Sequence, residues 1–282
     1  MIVPPILVAL GPARQVIVSA QFASGVNLVE VYATVTDRQG QPVAGLAPAD
    51  FHVSEDGQAQ RISAFAAAPD VPLAVAIVID RSFSMGPRLA VAKSAARAFL
   101  GALQPADQAM VVAIGGDTEI AAPLTLDHRA TLAAIDRLEA WGTTPLYDAT
   151  MAAIDAVQLA KGRRALVLLS DGTDRYSDSS SGMLLEHARR EDVLVYPVAL
   201  GAARPPFFAE LAAATGGRSF FDRTPAALQT TMSTIARELR FQYLLGYVPA
   251  RAAAGEPRWR AIGVSVERSD LAVRSRDGYF SR

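Results

Sequence analysis

The sequence predicts an α/β protein with a doubly wound, mostly parallel sheet and a smaller, discontinuous β domain that the two flanks of the chain build together. Three observations lead to this prediction. Four continuous apolar runs are typical of strands that are buried on both faces. Between them, apolar residues recur at three- and four-residue spacing, as in amphipathic helices. Shorter strand patterns, interrupted by turn residues, precede and follow this region.

The alternating region occupies residues 70–239. Its predicted buried strands are 73–79, 109–114, 165–169 and 193–200. One predicted helix begins at Pro87, and a short one follows the capping residue Asp127. Four further helices are predicted at 146–159, 183–190, 207–214 and 225–239, and a short strand at 218–221. Because buried strands alternate with helices along the chain, we expect a mostly parallel sheet with helices on both faces.

The two flanks have a different pattern, made of short strands and turns. The predicted strands are 28–35, 51–54 and 60–65 before the α/β region, and 241–248, 259–267 and 271–275 after it. Each flank is too small to bury a core alone. We therefore predict that residues 21–69 and 240–282 combine into one β-sandwich-like domain beside the α/β domain of residues 70–239.

Composition excludes several classes of site. The chain has 27 Lys and Arg against 28 Asp and Glu, a formal net charge of −1. It has no basic run with interleaved aromatic residues, so we predict no nucleic-acid partner. It has no cysteine, which excludes disulfides, thiolate zinc sites, iron–sulfur clusters and cysteine catalysis. Nothing in the sequence indicates the oligomeric state.

The first twenty residues admit two interpretations. Residues 1–10 are nearly all apolar, and the small residues 18–20 are typical of a signal-peptide cleavage site. However, no positive charge precedes Arg14, and prolines interrupt the apolar run. Residues 1–20 are therefore predicted to be either a signal peptide or a disordered extension, and we favour export to the periplasm or the cell exterior over a cytoplasmic location. The run is too short to span a membrane, and we predict no membrane span.

Polar residues follow the predicted strands at the points where these strands end. Asp80, Ser82 and Ser84 come directly after the first strand, residues 170–174 follow the third, and residues 142–145 precede a helix. In an open parallel sheet, ligands bind beyond the carboxyl ends of the strands, so we expect these loops to converge. Together they offer two carboxylates and several hydroxyl groups, without imidazole or thiol. This hard ligand set suits Mg²⁺, Mn²⁺ or Ca²⁺ better than zinc or copper.

These segments resemble the motifs of a known family. Residues 77–85 look like the first metal-site motif of von Willebrand factor A domains, residues 142–148 look like its threonine loop, and residues 168–172 look like its third motif. Two further segments, 50–57 and 239–247, resemble a bacterial, acidobacterial-type subgroup of proteins related to these domains. The motifs occur in order and at suitable spacing, and the resemblance extends over nearly the whole chain.

The resemblance implies a Rossmann-like sheet and a metal-dependent adhesion and protein-binding module that is not an enzyme. One cation, Mg²⁺ in most settings, would be held at five positions, which are Asp80, Ser82, Ser84, Thr144 and Asp171. The three hydroxyl residues would contact the metal directly or through water, and the two aspartates largely through water. An acidic side chain of a partner protein would fill the open coordination position.

Other interpretations stay open beside this one. Arg81 and Phe83 stand where the family usually has small residues, which favours a structural α/β module with a weakened metal site as one alternative. The second alternative is a Mg²⁺-dependent phosphoesterase on a similar sheet, although Ser82 stands where such an enzyme would need a second carboxylate. Trp141, beside the threonine loop, is expected either to pack in the core or to border the surface that a partner contacts.

Overall fold

The computed structural model of the chain describes residues 28–67, 71–250 and 257–281. The segment 1–20, with its predicted signal peptide or disordered extension, lies outside these residues. None of the helices in the described ranges is both long and apolar enough to cross a membrane.

The described residues form strands in three sheets, one of six strands and two of four. The strands are β1 (Val29–Thr36), β2 (Phe51–Glu55), β3 (Gln58–Gln60), β4 (Ile62–Ala67), β5 (Leu73–Asp80), β6 (Gln108–Gly115), β7 (Asp117–Thr125), β8 (Arg163–Ser170), β9 (Leu194–Ala199), β10 (Phe220–Phe221), β11 (Gln242–Tyr247), β12 (Trp259–Val266), β13 (Ala272–Arg274) and β14 (Gly278–Phe280). The α-helices are α1 (Gly86–Gly101), α2 (His128–Arg137), α3 (Leu146–Gln158), α4 (Ser181–Arg190), α5 (Pro206–Thr215) and α6 (Pro225–Arg240).

The six-stranded sheet has the order β10-β9-β8-β5-β6-β7, in which every pair is parallel except β6 and β7. β5 is buried along its whole length, and its side chains alternate between two cores. One set, which includes Ile77, packs with α1, α2 and α6. The other set, which includes Val78, packs with α3, α4 and α5. Helices therefore cover both faces of the sheet, which confirms the predicted doubly wound α/β class.

The two four-stranded sheets have the orders β13-β1-β11-β4 and β14-β12-β2-β3. In each, a strand from before the α/β region pairs antiparallel with one from after it, β1 with β11 and β2 with β12. Their apolar faces share one core, in which the rings of Phe51 and Tyr243 have centroids 5.0 Å apart. The two flanks thus build a β structure jointly, as the predicted fold class requires, whereas the exact domain bounds stay a prediction.

Three strand assignments differ from the prediction. The single strand predicted at 60–65 is wrong, because the chain changes sheets at Arg61, where β3 ends in one sheet and β4 begins in the other. The strands β7 and β14 have no counterpart among the predicted ones. β7 lies at the sheet edge, carries Pro123 and buries only Ala122. It therefore lacks the continuous apolar run by which its neighbours are recognised.

Helix α6 joins the α/β part of the chain to the β sandwich. Glu238, in its last turn, is buried and accepts hydrogen bonds from Arg218 (3.2 Å) and from Arg274 of β13 (2.7 Å). A buried carboxylate needs such partners, because the loss of hydration around an unpaired charge is costly. These bonds hold β13 against the carboxyl-terminal end of α6.

The N-terminus of α2 offers a local test of the fold. Asp127 caps this helix as predicted, because its Oδ1 accepts hydrogen bonds from the backbone N–H groups of Arg129 (3.0 Å) and Ala130 (3.1 Å). The substitution Asp127→Ala is expected to lower the free energy of unfolding by about 1 kcal/mol, as measured by urea denaturation. Asp127→Asn can still accept these bonds and is the matched control. Equal losses in both variants would contradict the capping role.

Candidate metal centre

The candidate site lies at the carboxyl ends of β5 and β8. These strands are neighbours and run parallel, so their last residues, Asp80 and Ser170, meet at one edge of the sheet. The chain turns from Asp80 into a short 3-10 turn and α1, and from Ser170 into the loop before α4. Thr144 enters from the loop between α2 and α3. The three loops therefore converge, as the position of their motifs predicts.

Asp80 is fully buried at the base of the site. Its Oδ1 accepts a hydrogen bond from the backbone N–H of Ser82 (3.0 Å), and its Oδ2 accepts one from the hydroxyl of Ser170 (2.6 Å). Burial raises the pKa of the Asp80 carboxyl, and the hydrogen bonds from Ser170 and Ser82 offset part of this rise. Ser170 is absent from the five predicted positions. Its place at the end of a buried strand, directly before Asp171, is the signal that could have identified it.

Ser82, Ser84 and Asp171 form a continuous chain of oxygen atoms above Asp80. The hydroxyl oxygens of Ser82 and Ser84 are 3.2 Å apart, and the Ser84 hydroxyl donates to Oδ2 of Asp171 (2.9 Å). The other carboxylate oxygen of Asp171 accepts the backbone N–H of Thr173 (3.0 Å). Ser82 is buried, whereas Ser84 is exposed. Four of the five predicted residues are thus connected by hydrogen bonds.

Thr144, the fifth residue, is buried and is held by its backbone. Its carbonyl oxygen accepts the N–H of Arg175 from the loop after β8 (2.7 Å). The neighbouring Gly142 carbonyl accepts the N–H of Phe83 from the loop after β5 (3.1 Å). The loop of Thr144 is therefore fixed to both of the other loops. Among the described residues, however, its hydroxyl forms no hydrogen bond with the other four predicted side chains.

The donor atoms of the site suit a hard cation. All are carboxylate or hydroxyl oxygens, and their closest spacings are the 2.9 Å between Ser84 and Asp171 and the 3.2 Å between Ser82 and Ser84. Two neighbouring ligands of an octahedral Mg²⁺ are about 3 Å apart, because each lies about 2.1 Å from the ion. The described residues contain no group of three or more histidine or acidic side chains that could bind a metal. A cation at this position would therefore need the hydroxyl groups as ligands.

Arg81, one of the two departures from the family pattern, does not leave a free charge at the site. Its Nη2 lies 2.6 Å from Oε2 of Glu119 in β7, and its side chain is only 15% exposed. The stem of the side chain packs over Gly115, where an added Cβ would lie 3.0 Å from Cγ of Arg81. Because Glu119 neutralises the charge of Arg81, this ion pair argues against the alternative in which Arg81 weakens the metal site.

Phe83, the second departure, and Trp141 are both on the surface. Phe83 is 67% exposed and Trp141 is 57% exposed. Core packing, one of the two interpretations of Trp141, is therefore wrong. The backbone N–H of Trp141 donates to the carbonyl oxygen of Arg81 (2.7 Å), which holds the backbone of Trp141 beside the loop that carries Ser82 and Ser84.

A cleft of about 450 Å³ lies beside the site, between the N-terminal parts of α1 and α6. Arg88 links it to the site, because its Nη1 donates to the carbonyl oxygen of Ser84 (3.2 Å). Asp222 lines the same cleft, and its Oδ2 is buried without a hydrogen-bond partner among the described residues. Burial raises the pKa of the Asp222 carboxyl, and a hydrogen bond from Thr231 opposes this to a smaller extent.

Asp222→Asn is expected to stabilise the chain near neutral pH. A raised pKa means that folding penalises the charged carboxylate, and this penalty develops as the pH rises from the unfolded-state pKa to the folded-state pKa. Because Asp222 is only partly buried, solvent screens its charge, and we expect a gain of no more than roughly 0.5 kcal/mol at neutral pH. No gain is expected below the ordinary aspartate pKa of about 3.9. Calorimetric unfolding at both pH values measures the difference, and an identical effect at both would rule out this explanation.

The comparisons with known proteins concern family and fold. The sequence model of the von Willebrand factor type A domain matches residues 75–173. No curated protein matches the chain. Among solved structures, a von Willebrand factor type A protein from Catenulispora acidiphila is 14% identical, with a TM-score of 0.55, over 92% of this chain and 75% of that one.

Two further structures resemble about three fifths of the chain. The vWF domain of a type V pili tip protein from Porphyromonas gingivalis is 14% identical, with a TM-score of 0.51, over 59% of this chain and 94% of that one. The PilB minor pilin from Streptococcus sanguinis is 13% identical, with a TM-score of 0.52, over 60% of this chain and 61% of that one. At these identities the structures show a shared fold and nothing further.

The family match covers β5, β6, β7 and β8 with the helices between them, and it includes all five predicted metal-site positions. The acidobacterial-type subgroup that the flanking segments suggest stays a prediction. Residues 75–173 belong to the von Willebrand factor type A domain family, and the chain carries this domain within a larger α/β and β-sandwich structure.

Proposed function

We propose that the chain is a metal-dependent protein-binding module that holds one divalent cation and is not an enzyme. The proposed ligands are Asp80, Ser82, Ser84, Thr144 and Asp171. The proposed cation is Mg²⁺, with Mn²⁺ or Ca²⁺ as alternatives, because every donor is a hard oxygen. The observation that carries the proposal is the chain of oxygen atoms from Ser82 through Ser84 to Asp171, at spacings that neighbouring ligands of one small cation require.

Charge supports an acidic ligand in the partner. The cation supplies a positive charge and an open coordination position when it is bound, and the two aspartates balance its charge. Two arginines beside the site, Arg88 and Arg175, form no ion pair with other described residues. Either guanidinium is therefore available to pair with a carboxylate beside the cation, which is the group that the proposed partner provides.

An enzyme is a weaker proposal for the same residues. Hydrolysis of a phosphoester needs a group that moves a proton, in addition to the cation. Ser82 follows Asp80 at the position where such an enzyme would place its second carboxylate, and the Asp80 carboxylate itself accepts two hydrogen bonds at the buried base of the site. A side chain held in this way is suited to positioning Ser82 and Ser170 rather than to exchanging protons.

Affinity capture tests the proposal. The full chain, immobilised, is exposed to an extract of its source in the presence of Mg²⁺ or of EDTA, beside an Asp80→Ala variant. We expect a partner that is recovered with Mg²⁺ on the unchanged chain and is lost in the other lanes. Equal recovery of every protein in all lanes would contradict metal-dependent binding.

Export is part of the proposal. Its support is the apolar pattern of residues 1–10 and the small residues 18–20. If residues 1–20 are a cleaved signal, the protein isolated from its source begins at Gln21. Mass spectrometry of the N-terminal peptide measures this, and an intact Met1–Ala20 segment on the isolated protein would argue against export by this signal.

A further inference from the structure

Exposed aromatic side chains are concentrated at the metal centre. Among the described residues, the aromatic side chains that are clearly exposed are Phe83 (67%), Trp141 (57%), Tyr176 (79%) and Phe241 (39%). Three of these four lie on the loops that build the site, and they are the three most exposed. We name Phe83, Trp141 and Tyr176 the aromatic rim.

Each member of the aromatic rim comes from a different loop, and backbone hydrogen bonds connect the three loops. Phe83 lies between Ser82 and Ser84, and its N–H donates to the carbonyl oxygen of Gly142 (3.1 Å). Gly142 directly follows Trp141 in the sequence. Tyr176 follows Arg175, whose N–H donates to the carbonyl oxygen of Thr144 (2.7 Å). The backbone that carries each ring is thus anchored within a few residues of the proposed metal ligands.

Stability of the fold does not explain these positions. An aromatic ring stabilises a fold by leaving water, and these rings remain mostly in water. Tyr176 in addition has φ +76°, an unfavourable left-handed conformation for a residue with a bulky side chain. Exposed apolar groups that cluster at one place, with strained backbone beside them, are typical of a binding surface.

We propose that the aromatic rim binds an extended peptide segment of a partner protein, in which apolar side chains flank the acidic residue that reaches the metal centre. This inference rests on the proposed function and adds the chemistry of the partner. Tyrosine and tryptophan dominate protein–protein interfaces because they bury a large rigid area on contact. A peptide is favoured over a carbohydrate because a carboxylate can pair with the nearby Arg88 and Arg175, whereas neutral sugar hydroxyls would leave both guanidinium charges without an opposite charge.

A displayed peptide library tests this proposal. Its members carry a fixed central aspartate between randomised residues, and they are selected on the Mg²⁺-loaded chain and eluted with acid, which also recovers peptides that bind without the metal. Selected peptides are expected to carry aliphatic or aromatic residues next to the aspartate. Their affinity for Trp141→Ser and for Tyr176→Ser is expected to fall at least about tenfold. Leu159→Ser removes an even more exposed apolar side chain (87%), directly after the far end of α3, and it should leave the affinity unchanged.

Fluorescence gives a second readout. The chain has two tryptophans, and Trp259 packs against Phe280 in the β sandwich, away from the site. In a Trp259→Phe variant all tryptophan emission therefore comes from Trp141, which a bound apolar peptide should shift to shorter wavelength. An unchanged spectrum at saturating peptide would overturn the contact that we propose.

The outcomes separate this inference from the proposed function. Selection of peptides with polar or glycine neighbours, or equal affinity for the rim variants, would overturn the aromatic rim and leave metal-dependent binding intact. If the Mg²⁺-loaded chain binds neutral glycans on a glycan array instead of peptides, and the rim variants lose this binding, the proposal of a peptide ligand would also be overturned. Apolar peptides that bind equally in EDTA, or without the aspartate, would overturn both proposals. Calorimetry with Mg²⁺ alone shows separately whether each variant still takes up the cation.

Discussion

In a calorimetric titration, Asp80→Asn is expected to bind Mg²⁺ about 10- to 100-fold more weakly than the unchanged chain, the range for groups that orient or tune metal ligands. Asparagine has almost the shape of aspartate and can still accept the N–H of Ser82. The substitution therefore removes one of the two negative charges at the site while the turn after β5 keeps its anchor.

Unfolding experiments separate loss of the metal from loss of the fold. Mg²⁺ at 100 times its dissociation constant should add about 2.7 kcal/mol to the stability of the unchanged chain, and much less to that of Asp80→Asn. Without metal, the variant should be at least as stable at neutral pH. The reason is that burial raises the pKa of Asp80, so the folded chain disfavours its charged form above the unfolded-state pKa.

A matched control lies in the loop after β8. Asp178 is exposed, and Asp178→Asn removes the same charge from the same edge of the sheet. If the two variants lose Mg²⁺ affinity equally, the effect is one of general charge and not of a site built on Asp80. If Asp80→Asn binds Mg²⁺ as well as the unchanged chain, Asp80 has no part in holding a cation.

The central sheet could be predicted because its burial leaves a strong local signal. A strand such as β5, covered by helices on both faces, must be apolar at every position, and such a run is rare elsewhere. The positions where these runs end also predict the loops that converge, since neighbouring parallel strands end at the same edge. Asp80 and the loop of Asp171 could therefore be placed at the same edge of the sheet from the sequence.

The contacts that the sequence did not reveal depend on elements with weaker local signals. Glu119, the partner of Arg81, is 38 residues away in sequence, on an edge strand that buries almost nothing. Because no local pattern reveals β7, the sequence shows no partner for the charge of Arg81 and overstates the effect of this residue on the candidate site. Likewise, the pairing of Ser170 with Asp80 requires that β8 lies directly beside β5. The order of strands in a parallel sheet cannot be inferred from local sequence patterns.

The substitution Gly142→Ala in the threonine loop is expected to cause a large loss of stability. This residue has φ +71°, and an added Cβ would lie 2.5 Å from the backbone nitrogen of Gly116 and 2.6 Å from the carbonyl carbon of Gly115. Neither atom belongs to a flexible side chain, so the loop itself would have to move. We expect Gly142→Ala to lower the free energy of unfolding by about 2–4 kcal/mol, the sum of a left-handed backbone and an overpacked contact.

Gly57, in the turn between β2 and β3, separates these two causes. It has φ +78°, but an added Cβ would have no neighbour within 4 Å. In urea titrations of both variants, Gly57→Ala should therefore lower the free energy of unfolding only by the backbone part, about 1 kcal/mol, and it should leave Mg²⁺ affinity unchanged. Gly142→Ala should in addition weaken Mg²⁺ binding, because a displaced loop loses the bond between the Phe83 N–H and the Gly142 carbonyl and carries Thr144 with it. If Gly142→Ala lost stability but kept full Mg²⁺ affinity, Thr144 could not be a ligand that this loop positions, and the cation would depend on the loops after β5 and β8 alone.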